Sequence, residues 1–234
     1  MEHEAYRILG TPAPGGILIV SDHASNAVPP DIDLGIAPEL LTQHVAIDIG
    51  VAEIGALMAQ QRGVAAFQGN VSRLVCDFNR DPDSPGLVPL VSDGHAFPGN
   101  AGQREARIAR FFDPYHKALA ELLEQAPPAL VLSLHSFTPA LATCDKPRPW
   151  HVGVLYNEDD RAARLAIPLL EAEGLTVGDQ QPYSGKLLNA TMNRHAEGRF
   201  PYLGIELRQD LTGDAAGWAE RLGRIAEQVS RQIE

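Results

Sequence analysis

Apolar positions along the chain follow two spacings that take turns. Short, continuous runs rich in β-branched residues predict strands at residues 17–21, 64–67, 74–78, 129–134, 150–156 and 202–207. The first of these, ILIVS, has the composition of a strand buried on both faces. Between the runs, apolar residues recur every three or four positions, as at Leu41, Val45, Ile49, Ala52 and Ala56. That period predicts amphipathic helices over residues 38–62, 104–125, 159–173 and 215–233, with Gly63 and Gly174 as stops. Prolines and glycines break up residues 79–100, which predicts a long loop of the kind that often carries function. Strands separated by helices imply an α/β fold of three layers, with a mainly parallel, mixed sheet between helices. No repeat, low-complexity tract or linker divides residues 1–234, so a single domain is expected.

In such sheets ligands sit beyond the carboxyl ends of the strands. The predicted ends here carry His23 in SDHASN, His135 in LSLHSF and Glu206 in YLGIE. Either histidine alone reads as a hydrogen-bonded structural residue, but two in equivalent positions point to imidazole ligands for a divalent metal. Glu206 could exchange a proton with a metal-activated water, or it could pair with Arg208 or another arginine. Arg73 and the run Asp77-Phe78-Asn79-Arg80 place two arginines, an acid and an amide around one predicted strand end. Such forks hold carboxylates in bidentate geometry, although an arginine pair is also often a solvated patch, with Asp77 as its counter-ion here. Tyr183, Ser184 and Gly185 fall near a substrate mouth, while Asn189, Thr191 and His195 mostly read as ordinary loop and helix residues; His44, four residues before Asp48, could support the metal from behind its ligands or simply cap the helix surface.

Composition narrows the partners. With 44% hydrophobic and 21% charged residues, the chain has the makings of a packed core. A formal net charge of −11 gives no electrostatic reason to approach a nucleic acid or an anionic membrane, so neither is expected as a partner. An anionic substrate would need local arginines. Cys76 and Cys144 form no Cys-x-x-Cys pair, which fits a reducing compartment. The first sixteen residues lack a basic start and an apolar core, and no apolar run approaches a membrane span, so a cytoplasmic location is expected. Signatures of serine hydrolases, kinases and dehydrogenases are absent from the sequence.

Taken in order, SDHASN, HVAIDIG, SRLVCDFNR, LSLHSF and GIELRQDL resemble the N-formylglutamate amidohydrolase family over roughly residues 17 to 211. That family is similar to the wider zinc-carboxypeptidase and aspartoacylase fold, so the resemblance implies a zinc-exopeptidase-like α/β architecture. It also implies one zinc ion at His23 and His135, Glu206 as the acid/base, and Asn79 with Arg80 as the pair that holds substrate. The implied reaction is hydrolysis of a small anionic acyl-amino acid, foremost N-formyl-L-glutamate to formate and L-glutamate, with Arg73 or Arg208 as further carboxylate holders. Where the wider pattern has His-x-x-Glu, this chain has His23-Ala-Ser-Asn26. An amide is a poor zinc ligand, so Asp48, on the predicted helix, is expected to complete a His, His, carboxylate set. The alternatives are a small-acid-binding module that has lost its metal, a different acyl-amino-acid hydrolase, or a small carboxypeptidase.

Overall fold

The computed structural model describes residues 4–233; residues 1–3 and 234 of the expected 1–234 domain lie outside them. Its strands are β1 (Tyr6–Gly10), β2 (Ile17–Ser21), β3 (Val64–Gly69), β4 (Val91–Ser92), β5 (His95–Ala96), β6 (Leu130–Phe137), β7 (Val152–Leu155), β8 (Val177–Asp179) and β9 (Tyr202–Arg208). Its helices are α1 (Val51–Met58), α2 (Arg104–Arg107), α3 (Asp113–Gln125), α4 (Arg161–Ala172), α5 (Gly185–Leu188), α6 (Ala190–His195) and α7 (Ala215–Gln232). Strands β4 and β5 pair as a small hairpin, and the other seven form one sheet in the order β1-β3-β2-β6-β9-β7-β8. The central four run parallel, β1 and β7 join antiparallel to their inner neighbours, and β8 runs parallel to β7. The sheet is therefore mixed and mainly parallel, as the alternation of elements implied.

Side chains on a strand alternate between faces, and that alternation sorts the core into two halves. Ile19, Leu132, Leu134, Leu203, Ile205 and Leu207 pack with the apolar sides of α1, α4 and α7. Leu18, Val20, Val131 and Tyr202 face the other way, onto Tyr115, Leu119 and Leu123 of α3. Helix α7 follows from its sequence: Asp214 accepts from the Gly217 amide at 2.9 Å as a cap, and Trp218, Leu222, Ile225 and Val229 repeat at helical spacing. His135 and Glu206 adjoin Leu134 and Leu207, which face α1, α4 and α7, so they face the α3 side, directly opposite each other in the β6–β9 register.

Three sequence expectations are corrected. The helix expected over residues 38–62 is a 3-10 turn at Pro38–Thr42, a run of turns, and then α1 alone. Gly50 breaks it: its φ of +84° is left-handed, and a Cβ there would lie 2.4 Å from Thr212. Asp48 therefore stands on a turn rather than on a helix. The strand expected at 74–78 is a buried turn, because the Ser72 carbonyl accepts from Val75 (2.8 Å) and Cys76 (3.2 Å) while its hydroxyl accepts from Leu74 (3.2 Å). Helix 104–125 is interrupted by a π turn at Ile108–Phe112. Pro114 has no amide to offer Arg110, and the Asp113 amide reaches back to Ile108 instead.

Candidate active site

Strand β2 stops at Ser21, and Asp22 and His23 follow it into the crevice beside β6 and β9. The Asp48 amide donates to the His23 carbonyl at 3.0 Å, so the turn before α1 is fastened to the end of β2. This brings the Asp48 carboxylate between the imidazoles: its Oδ2 lies 3.3 Å from His23 Nδ1 and 2.8 Å from His135 Nδ1. The other ring nitrogens have carboxylates of their own. His23 Nε2 meets Asp77 Oδ1 at 2.7 Å, and His135 Nε2 meets Asp22 Oδ2 at 3.2 Å. Asp22 is in turn held by the hydroxyls of Tyr115 (2.8 Å) and Thr191 (2.7 Å), which donate to its Oδ1.

The buried turn at residues 72–80 supplies the remaining charge. Arg73 donates to Asp48 Oδ1 at 3.2 Å and to Asp77 Oδ2 at 2.9 Å, so its guanidinium serves as counter-ion to two acids. Arg80 touches Asp77 through Nε at 3.5 Å. Asn79 accepts from the Thr191 amide at 2.9 Å through Oδ1, which turns its Nδ2 toward His135 and the Leu188 carbonyl. A cavity of about 100 Å³ opens over the cluster, lined by His23, Asp48, Arg73, Asn79, Arg80, His135, Ser136, Tyr183, Leu188 and Glu206.

Protonation follows from these neighbours. Burial alone would raise Asp48, but the His23 charge and hydrogen bonds from both histidines hold it well below the carboxylate range. Burial also works against the charge on His135, yet its contacts with Asp22 and Asp48 raise its pKa. Glu206 makes no such contact. Burial pushes it up to about 7 against the charge of His135, with Asp48 adding to the rise, and its Oε2 is enclosed without a hydrogen-bond partner among the described residues. A carboxyl poised near neutrality can both accept and return a proton.

The expected residues therefore separate. His23, Asp48, His135, Glu206, Arg73, Asn79 and Arg80 come together, whereas Arg208 does not line the cavity, because Asp210 (2.8 Å) and the Pro149 carbonyl (3.2 Å) hold its guanidinium. Asn26 donates to the Leu41 carbonyl at 2.9 Å, and His44 pairs with Asp93 at 3.0 Å. Asp22, which adjoins His23 in the SDHASN motif, has no role assigned from the sequence, and the structure places it behind His135.

A donor set of two imidazoles and a carboxylate, with ligand atoms all within 4.8 Å of one another, fits a divalent cation. The carboxylates behind each imidazole are the outer partners that orient metal-binding histidines. Fold and cluster together define an α/β protein with a strand-end site suited to metal-assisted chemistry. The sequence matches N-formylglutamate amidohydrolase over residues 15–212, and the chain belongs to that family of amidohydrolases. No match was found among curated proteins. Among solved structures, a gene product of Agrobacterium tumefaciens superposes with a TM-score of 0.91 at 28% identity, covering 99% of this chain and 97% of its own. The N-formylglutamate amidohydrolase of Ralstonia eutropha shares the fold, with a TM-score of 0.77 at 20% identity over 98% of each chain. No helix among the described residues is long and apolar enough to cross a membrane.

Proposed function

We propose that the protein is a zinc-dependent hydrolase of N-acylated amino acids, with N-formyl-L-glutamate as substrate and formate and L-glutamate as products. The observation that carries this reading is the convergence of His23, Asp48 and His135 beside Glu206, in a chain whose family is one of amidohydrolases. His23 and His135 would hold the ion through Nδ1, and Asp48 through its carboxylate. Zinc bound there would supply a Lewis acid that polarises the amide carbonyl and brings the pKa of a water to about 7.

The chain's own groups do the rest. Glu206 takes the proton released as water attacks the formyl carbon and returns it to the amine as the C–N bond breaks. Arg80 binds the substrate carboxylate, and Asn79, its amide fixed by Thr191, donates to a substrate oxygen. Arg73, paired with two acids, keeps the charge of the cluster balanced. The reading takes residues 1–234 as one catalytic domain, because His135 and Glu206 lie on adjacent strands of the same sheet as β2. It keeps the cytoplasmic setting, in which Cys76 and Cys144 persist as free thiols.

The test is formate and amine release from a panel of N-formyl and N-acetyl amino acids, with zinc, cobalt or manganese supplied. The proposal expects N-formyl-L-glutamate to be cleaved fastest and cleavage to stop on chelation. Binding of small acids without cleavage in a metal-replete sample would favour a binding module instead.

A further inference from the structure

Away from that cavity, one buried arginine has no anion of its own. Arg107, the last residue of α2, keeps only 6% of its surface exposed. Its Nε is enclosed without a hydrogen-bond partner, and the side chain enters no ion pair among the described residues. It lines a cavity of about 270 Å³ with Asp31, Asp33, Gly99, Gln103, Ala106 and Arg110. With its Nε enclosed and its terminal nitrogens facing the cavity, the guanidinium has no counter-charge in contact, so the nearby anions matter.

Each of them is occupied or absent. Asp31 gives both oxygens to Arg110, one of them at 3.1 Å from Nη2. Asp33 accepts from the Gly35 amide at 2.8 Å. The Cys76 thiol is pushed far up by burial and then by Asp77, so it stays neutral and offers Arg107 no counter-charge. The walls are fixed as well. The Gly99 amide donates to the Leu34 carbonyl at 3.1 Å, and a Cβ on Gly99 would fall 1.9 Å from the Asp33 carbonyl oxygen. Arg110, three residues beyond Arg107 and inside the π turn, is a second cation on the same cavity.

We propose that this cavity is a second ligand site, separate from the candidate active site, which takes a small oxyanion, a carboxylate or phosphate group, on Arg107. The planar fork of Arg107 suits either head group, and the Gln103 amide stands on the same lining. The inference does not depend on the hydrolytic reading.

Thermal melts of the metal-loaded full chain test it, in inorganic phosphate, in acetate and in chloride of equal ionic strength. At ten times its dissociation constant, a bound anion should raise the midpoint by roughly 3–6 °C over chloride. Arg107→Met should lose that increment and, freed of an unpaired charge, melt no lower than the wild type in chloride. Ala106→Glu, a change at an exposed position on the cavity lining, should erase the increment with Arg107 still in place. An increment in phosphate alone assigns a phosphate group, and one in both assigns any small oxyanion. No increment in the wild type, or equal increments in wild type and both variants, overturns the proposal.

Discussion

Two buried histidine pairs lie in this molecule, and their surroundings send them in opposite directions. His23 and His135 have ring centroids 5.0 Å apart, and His116 and His195 have theirs 5.1 Å apart. All four rings are almost wholly enclosed. The first pair has three carboxylates, Asp22, Asp48 and Asp77, within reach, and both of its pKa values are raised against the pull of burial. The second touches no carboxylate among the described residues: His116 Nδ1 meets His195 Nε2 at 2.9 Å and its Nε2 meets the Phe78 carbonyl at 3.0 Å. Burial pushes His116 down to about 3 and His195 to about 4. The carboxylates around a buried histidine pair, not the proximity of its rings, thus decide whether burial or charge sets its pKa values.

Metal retention should break the comparison most sharply. His23→Ala and His135→Ala are each expected to lose essentially all zinc, and His195→Gln to keep a full complement, as read by elemental analysis of the folded proteins. Full zinc in either of the first two would remove the distinction.

Much of that distinction was legible in the sequence, and the part that was not has physical causes. The runs before His23, His135 and Glu206 are central strands buried at every position but Ile17, the kind of segment whose apolar pattern is strongest. Edge strand β1 is largely exposed and β8 has three residues, so neither leaves such a pattern. Apolar spacing records which face a residue occupies but not chain direction, which is why the reversal of β7 against β9 came only with the structure. Residues 74–78 are as apolar as a strand, yet Ser72 captures the amides of Leu74, Val75 and Cys76. The same turn supplies Asp77, whose role behind His23 no linear motif announces. Arg208 shares the strand of Glu206, but Asp210 two residues later claims it.

The next largest effect concerns turnover. Glu206→Gln keeps the shape of the side chain and cannot accept a proton, so kcat should fall roughly a hundredfold or more with zinc and substrate affinity retained. Near-normal turnover in a zinc-replete sample would take the proton transfer away from Glu206.

Within the first pair, the ligand set can be sharpened by chelator competition. Asp48→Asn should weaken zinc binding by about tenfold or more, whereas Asn26→Ala should leave it near wild type, since Asn26 is bonded to the Leu41 carbonyl. The reverse order would make Asp48 a support for its neighbours only.

A smaller effect tests the second pair. Because the folded pKa values of His116 and His195 lie below the ordinary 6.5, the unfolded chain binds more protons as pH falls below that value. Their contribution to stability is complete above pH 6.5 and is lost as pH falls toward 4. Urea unfolding should therefore show the wild type losing ground to His195→Gln by up to about 1 kcal/mol per pH unit between pH 6.5 and 5. A pH-independent difference would mean that the pair titrates normally.

The central claim is tested most directly by adding zinc stepwise to chelator-stripped protein while following both bound metal and formate release from N-formyl-L-glutamate. The account predicts that activity rises in proportion to zinc bound and saturates at one ion per chain, and that His135→Ala shows neither. Full hydrolysis in the stripped protein, or tight stoichiometric zinc without any cleavage, would contradict it.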